Sequence, residues 1–264
     1  MLDAPLFLGS EIYRNSSYGQ AHPLRIPRVS TVMDLCRAMN WLGTDNFRTS
    51  PRAKAKALTV WHTPDYLQAL QAAEAAQNVS DNVRDRHQIG THLNPVFPEI
   101  WRRPATSAGG SLLAGELLRE GGAVYHPAGG THHAFPDYAG GFCYLNDPVL
   151  AMLSLRRNGA KRIAYVDIDA HHADGVQHGF GADTDTVLIS VHEEGRWPRT
   201  GTLTDDGGGS AYNLPVPKNL NDSEMALIRE ELILPIMEGL KKEAGVLQCG
   251  EDAEEEDQLS HLEL

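Results

Sequence analysis

Tyr165-Val-Asp-Ile-Asp-Ala-His-His-Ala-Asp-Gly-Val176 decides how the rest of this chain is read. It grows out of Arg162-Ile-Ala-Tyr-Val166, an apolar, β-favouring run of the kind that fills a strand buried on both faces of a parallel sheet. Asp167, Asp169, His171, His172 and Asp174 then follow within eight residues. Ligands of open α/β sheets bind beyond the carboxyl ends of the strands, so ionisable groups at that exit point to a site rather than a solvated loop. A strand persisting to Asp169 would, by its period of two, aim Asp167, Asp169 and His171 the same way. Carboxylate and imidazole suit a divalent metal such as zinc, and a ligating imidazole usually needs a carboxylate behind it.

Working outward, the same alternation of short apolar runs and helical spacing recurs. Ala123-Val-Tyr125 reads as a strand that opens into a glycine-rich turn carrying His126, His132 and His133. Phe142 to Leu155 has helical spacing, Gly175 to Phe180 starts another helix, and Thr186 to Val191 is a further buried strand. Residues 193–217 read as one long Gly/Pro/Asp-rich connection, and Asn221 to Lys242 as an amphipathic helix before a last strand at Gly245 to Gln248. Nearer the N-terminus, Leu6 to Leu8 suggests a short edge strand and Gly19 to Pro27 a loop. Val29 to Leu42 reads as a helix and Arg52 to Val60 as a small segment of strand type. Helices are expected from Thr63 to about Asn78 and from Ile100 to about Arg119, with residues 79–98 as a polar surface loop between them. Strands alternating with helices, with no proline linker, predict a single three-layer α/β/α domain over residues 1–264 with a mostly parallel sheet.

Composition narrows the function. The 264 residues are 41% hydrophobic, enough for a sizeable core, and the formal charge of −12 argues against direct nucleic-acid binding. Six acids fall in the seven positions from Glu251 to Asp257, so the rest of the chain carries about −6. Cys36, Cys143 and Cys249 are too widely spaced for a disulfide framework or a metal knuckle, which makes a reducing compartment the default. The N-terminus has no signal-peptide pattern, and no apolar run is long enough to span a bilayer, so the expectation is a cytoplasmic protein off the membrane. A His-His pair alone is most simply a loop or capping feature. Two such pairs, each after a strand, allow one to hold metal while the other moves protons.

Three motifs together resemble the histone deacetylase superfamily: Gly129-Gly-Thr-His-His-Ala-Phe-Pro-Asp-Tyr-Ala-Gly-Gly-Phe-Cys-Tyr-Leu-Asn-Asp147, Asp167-Ile-Asp-Ala-His-His-Ala-Asp-Gly175 and Leu247-Gln-Cys-Gly-Glu-Asp252. The resemblance runs from about His22 to Leu264 and leans to the bacterial acetoin-utilization branch, on the arginase–deacetylase fold. It implies Asp169, His171 and Asp252 as ligands of a catalytic metal, for which Zn²⁺ or Fe²⁺ would both fit. It implies His132 and His133 as the proton-transfer pair, with Asp167 behind His132 and Asp174 behind His133. Gly141, Phe142 and Trp197 match the walls of a tunnel gripping the methylenes of acetyl-lysine. Asp167, Asp169, His171 and Ser190 resemble a second site, for a monovalent cation such as K⁺.

The implied reaction is hydrolysis of an acetylated amine, either acetyl-lysine in a protein or a small acetylated amine such as an acetylpolyamine. The other readings are a truncated, non-catalytic homologue that binds metal and acetylated ligand, and an arginase-like dimanganese hydrolase. Against the last, the His132-His133 pair resembles that of deacetylases. Three departures accompany the match. The family's downstream Gly-rich loop, whose tyrosine donates to the substrate carbonyl, has no counterpart in these 264 residues. The domain is therefore expected to lack its C-terminal part, and loss of one such donor typically costs roughly 100- to 1000-fold in turnover. Glu254-Glu-Glu256 replaces a mostly small, apolar loop. Leu93 stands where the family often has an aspartate holding the substrate backbone, leaving His92 and Asn94 to take part of that role.

Overall fold

In the computed structural model all residues are described except 1, 3, 20, 21, 240 and 256. The chain divides into two compact units, Met1–Gly159 and Ala160–Leu264.

The first unit runs β1 (Leu6–Gly9), α1 (Ile12–Asn15), α2 (Arg28–Ala38), β2 (Phe47–Thr49), α3 (Ala55–Leu58), α4 (Pro64–Ala76), α5 (Asp81–His87), α6 (Arg102–Leu117), β3 (Val124–Tyr125) and α7 (Asp147–Arg157). Its sheet has the order β2-β1-β3 and is parallel throughout, with Phe7 opposite Phe47 and Leu6 opposite Val124. β1 is therefore the central strand, not an edge, and all four of its residues are buried. The strand expected at 52–60 is displaced to Phe47–Thr49. The Lys54-Ala-Lys-Ala-Leu58 stretch instead follows its Ala, Lys and Leu content into the single helical turn of α3. Residues 79–98 are not simply a surface loop. Ser80 caps α5 by accepting the Val83 amide, and His87, Ile89, Asn94 and Phe97 are buried, while Arg84, Asp85 and Arg86 face solvent. The core gathers Leu58, Tyr66, Leu70, Ile100, Ala105 and Leu150, all fully buried, and each large member contributes roughly 1.5–3 kcal/mol.

The second unit carries β4 (Ile163–Asp167), α8 (Asp174–Phe180), β5 (Thr186–Glu193), β6 (Ala211–Val216), α9 (Asp222–Ile228), α10 (Leu234–Glu238) and β7 (Ala244–Gln248). The order is β6-β5-β4-β7, again all parallel. β4 and β5 are buried at every residue, which is why both read as near-continuous apolar runs. β6 lies inside the expected 193–217 connection. It was masked by Pro215, which an edge strand tolerates because the missing N–H is not needed by a neighbour. The single helix expected from Asn221 to Lys242 is broken in three. Pro235 cannot donate to the helical ladder, and a π-helical turn at Arg229–Ile233 absorbs the misfit between α9 and α10. Leu240, in the same expected span, lies outside the described residues. Val166, Ile189, Val191, Leu220 and Ile233 form this unit's apolar core.

Candidate metal centre

The second unit places its polar residues by strand register. Asp167, the last residue of β4, stands opposite Ser190 of β5 and Gln248 of β7, and Ser190 stands opposite Asn213 of β6. The four make a polar row near the carboxyl ends of parallel strands, where the fold class expects ligands. The strand does not persist to Asp169; it ends at Asp167 and the chain turns. Fully buried Asp167 holds that turn, one carboxylate oxygen accepting the Asp169 amide at 3.0 Å and the other the Tyr165 hydroxyl at 2.5 Å. Convergence of the acids and His171 thus comes from a folded-back turn rather than from strand alternation.

The turn brings Asp169 and His171 to Asp252, which sits in the single 3₁₀ turn Glu251–Ala253 after β7. One ligand atom from each of the three lies within 4.8 Å of the others. His171 Nδ1 is 3.1 Å from Asp169 Oδ1 and 2.8 Å from Asp252 Oδ2. Backbone amides aim both carboxylates: Asp169 Oδ1 accepts from His171 N at 2.8 Å and Asp252 Oδ1 from Ala170 N at 3.1 Å. Ligand atoms about 2.0 Å from a tetrahedral zinc stand about 3.3 Å from one another, so the set fits a divalent ion after shifts of a few tenths of an ångström. Two carboxylates and one imidazole also leave room for water and a substrate oxygen. Burial pushes the His171 imidazole down, but hydrogen bonds to Asp169 and Asp252, and their charges, outweigh it and hold it up at about 9. The cage therefore favours a cation between its carboxylates, and a divalent ion ligated by Nδ1 would release that proton.

Trp197 stands beside the cage, its ring edge-on to His171 with centroids 6.2 Å apart and 39% of its surface exposed. The pair His171-His172 is split: His172 turns to Thr200 Oγ1 (2.7 Å) and Gln177 Oε1 (3.0 Å) and is not a ligand. Ser190 Oγ lies 3.0 Å from His192 Nδ1 and accepts the Ala173 amide at 3.4 Å. Asp174 opens α8, with Oδ1 accepting the Gly175 amide at 2.8 Å.

In the first unit His132 and His133 are both buried, with ring centroids 3.9 Å apart. Asn146 fixes their backbone by donating to His132 O (3.0 Å) and Ala134 O (2.8 Å), while its own side-chain oxygen caps α7 through Val149 N. Asp147 anchors the glycine turn before them, accepting from Thr131 N (2.8 Å), Gly130 N (3.3 Å) and Ser111 Oγ (2.7 Å). α7 starts only at Asp147 because Phe142 to Asn146 are used otherwise. Gly141 and Phe142 both have positive φ (45° and 68°), and the Phe142 amide donates to Asn94 Oδ1 at 3.0 Å. The Phe142 ring meets His22 edge-on at 4.4 Å. Cys143 is buried and packed against this turn, with Sγ donating to Gly141 O.

His62 holds the other side of this stretch, its Nε2 accepting the Asn146 amide at 3.0 Å. Burial lowers its imidazole to about 4, against weaker opposition from the Pro136 and Phe135 backbone. In the unfolded chain a histidine titrates near 6.5. The unfolded state therefore binds the extra proton first, and this contribution to stability, whole above about pH 6.5, is lost as pH falls towards 4. Urea titrations from pH 7 to pH 4.5 are expected to show His62→Gln losing less stability than the parent, by up to about 3 kcal/mol. Equal pH slopes in parent and variant would refute this.

One residue beside the cage escaped the sequence reading, and another has a different part from the one expected. Gly250 packs so closely on Asp169 that a Cβ there would lie 2.1 Å from Asp169 Oδ2. Asn94 is buried and committed to Gln88 O, Ala139 O and the Phe142 amide, so it shapes the Gly141-Phe142 turn and does not take over the rim role expected of it beside Leu93. An N-cap signal, Asn146-Asp-Pro148, could have located the true start of α7. Glu254 and Glu255 are exposed, and Glu256 lies outside the described residues. No helix among the described residues is long and apolar enough to cross a membrane.

Residues 22–264 match the histone deacetylase domain family. The acetoin utilization protein AcuC of Bacillus subtilis (strain 168) is 30% identical over 265 residues, which cover 97% of this chain and 68% of that protein. Histone deacetylase 1 of Homo sapiens is 32% identical, over 95% of this chain and 53% of the human one. This chain thus spans about half the length of the human relative. Among solved structures, a histone deacetylase homologue from Aquifex aeolicus superposes with TM-score 0.94 at 35% identity, over 99% of this chain and 72% of that one. A homologue complexed with SAHA superposes with TM-score 0.93, also at 35% identity, over 98% of this chain and 72% of that one. The α/β fold of the deacetylases is therefore the fold of this chain.

Proposed function

The chain belongs to the histone deacetylase domain family, whose members are deacetylase hydrolases, and from that premise we propose that it hydrolyses acetylated amines, with acetyl-lysine in proteins as the substrate. The observation that carries the reading is the Asp169–His171–Asp252 triad, three ligand atoms within 4.8 Å of one another. A Zn²⁺ or Fe²⁺ ion held there supplies Lewis-acid polarisation of an amide carbonyl and of a water. Asp169 and Asp252 fix the ligand geometry through their backbone hydrogen bonds, and His171 completes it from between them. His133 takes a proton from the attacking water, and His132 returns one to the departing amine. Asp167 and Asp174 are the carboxylates of that proton-transfer system. Burial and the Asn146 and Asp147 anchors support the assignment of the two imidazoles, since a general base must be held still to act at one proton.

In this reading Trp197, which stands beside His171, and Gly141 and Phe142 are the substrate-binding residues, because flat rings suit the methylenes of a lysine side chain. Asp167, Asp169, His171 and Ser190 would hold a monovalent cation such as K⁺, a role supported by the Asp167–Ser190 register. The chain works in the cytoplasm.

The test is metal content and turnover on the same preparation. One zinc per chain, with hydrolysis of an acetyl-lysine peptide exceeding that of an acetylated polyamine, is the expected result. Hydrolysis of the polyamine alone would move the substrate to small amines. Zinc without any turnover would make the chain a metal-binding homologue, and absence of zinc, iron or other divalent metal would overturn the reading.

A further inference from the structure

Glu193, the last residue of β5, is a buried carboxylate outside the metal triad. Its backbone and its side chain lead to Asp252 by two separate routes. Along the first, the Glu193 amide donates to Ala170 O at 3.1 Å, and the Ala170 amide donates in turn to Asp252 Oδ1 at 3.1 Å. Ala170 stands between Asp169 and His171 in the chain, so this route ties the end of β5 to all three members of the triad.

The second route runs through residues 259–264. Glu193 Oε2 accepts from Arg196 Nε at 2.6 Å and from the His261 amide at 2.9 Å, while Arg196 Nη1 donates to Leu259 O at 2.5 Å. The Glu193 and Arg196 side chains are only 2% and 17% exposed, so solvent would poorly replace either charge for the other. On its other side the segment is held by the Asn219 amide, which donates to His261 O at 2.7 Å, and by Leu220 O, which accepts the Glu263 amide at 2.9 Å. The segment then meets the turn that carries Asp252. Leu264 N donates to Ala253 O and Leu264 O accepts the Glu255 amide, both at 3.2 Å. Ala253 and Leu262 are buried in the same apolar cluster. The two routes close a ring in which Ala170 aims the Asp252 carboxylate and residues 259–264 hold the backbone beneath it.

We propose that Glu193 and Arg196 are positioning residues that brace residues 259–264 against the Glu251–Ala253 turn and so keep Asp252 facing Asp169 and His171. The inference rests on the proposed function in taking Asp252 as a metal ligand. Neither residue belongs to the triad; each acts on Asp252 through the segment it holds.

The test pairs amide hydrogen exchange of the metal-free chain with Co²⁺ affinity, measured by competition with a chelating dye. In Arg196→Ala and in the isosteric Glu193→Gln, the Glu255 and Leu264 amides are expected to exchange faster than in the parent, while Val166 in β4 and Ile189 in β5 exchange as before. The same variants are expected to bind Co²⁺ about tenfold more weakly, as when the support of a ligand is disturbed. Arg196→Lys, which keeps a cation against Glu193, recovers most of that affinity. Should Arg196→Ala not fold, Glu193→Gln carries the comparison alone. Parent-like exchange at Glu255 and Leu264 overturns the brace. Faster exchange there with parent-like Co²⁺ affinity overturns the positioning role, and so does a raised KM for an acetyl-lysine peptide with affinity unchanged, which would place the effect at the adjacent Trp197. Failure of the parent to bind Co²⁺ overturns the metal reading alone, because the exchange comparison is made on metal-free chains.

Discussion

Asp169→Ala is expected to abolish stoichiometric zinc binding and to lower acetyl-lysine hydrolysis by on the order of 1000-fold or more, since a catalytic metal contributes several kcal/mol of charge stabilisation. Asp169 does three things at once. It offers a ligand oxygen, accepts the His171 amide at 2.8 Å, and holds His171 Nδ1 at 3.1 Å. Its removal leaves two ligands and frees the imidazole that the third must face. Asp169→Asn keeps the shape and the backbone hydrogen bond but not the charge, so it should bind zinc more weakly than the parent and better than Asp169→Ala. Elemental analysis and the peptide assay on the same samples check both statements. Full zinc content in Asp169→Ala would show that the ion sits elsewhere.

Gly250→Ala should weaken metal binding by roughly 10- to 100-fold without replacing a ligand, the size of effect seen when a ligand's support is disturbed. The new methyl would stand 2.1 Å from Asp169 Oδ2, well inside van der Waals contact, so either the carboxylate or the loop carrying Asp252 must move. Gly250 has φ −72° and ψ 130°, which alanine adopts without strain, so the backbone conformation does not explain the effect. The thermal midpoint of the metal-free chain should therefore change little while affinity, measured by competition with a chelating dye, falls. Parent-like affinity would mean that the Asp252 loop yields freely and that close packing at Gly250 has no functional role.

Much of the site was readable because it is written locally. The D-x-D-x-H-H-x-x-D stretch follows a strand buried at every residue, so its position at a strand exit followed from hydrophobicity and period alone. Glycine turns and a His-His pair after β3 were equally plain, and long apolar segments such as β5 and α6 were found within a few residues of their ends. The expectations that failed did so where a short-range signal met a longer-range constraint. Pro215 reads as a breaker, and only its place on the edge strand β6 makes it harmless. The polar Arg84-Asp-Arg86 run reads as loop, yet it is the solvent face of a capped helix. Val32, Leu35, Cys36 and Met39 share one face of α2 and its C-terminal cap and would be taken for core, but Leu35 and Met39 are exposed and Met33 is buried.

By itself the sequence determined the alternating α/β class, the parallel pairing, the family and the residue types proposed to hold metal and move protons. Each of these depends on period or on residues close in the chain. Tertiary structure alone decided how they meet. Asp252 reaches Asp169 and His171 across some eighty positions of chain because β7 pairs with β4, a register that no local pattern records. Adjacent His171 and His172 were parted because a turn, not a strand, follows Asp167, one imidazole going to the carboxylates and the other to Thr200 and Gln177. Gly250 matters for a contact made through space, and so its role lies in packing, which one-dimensional order does not contain.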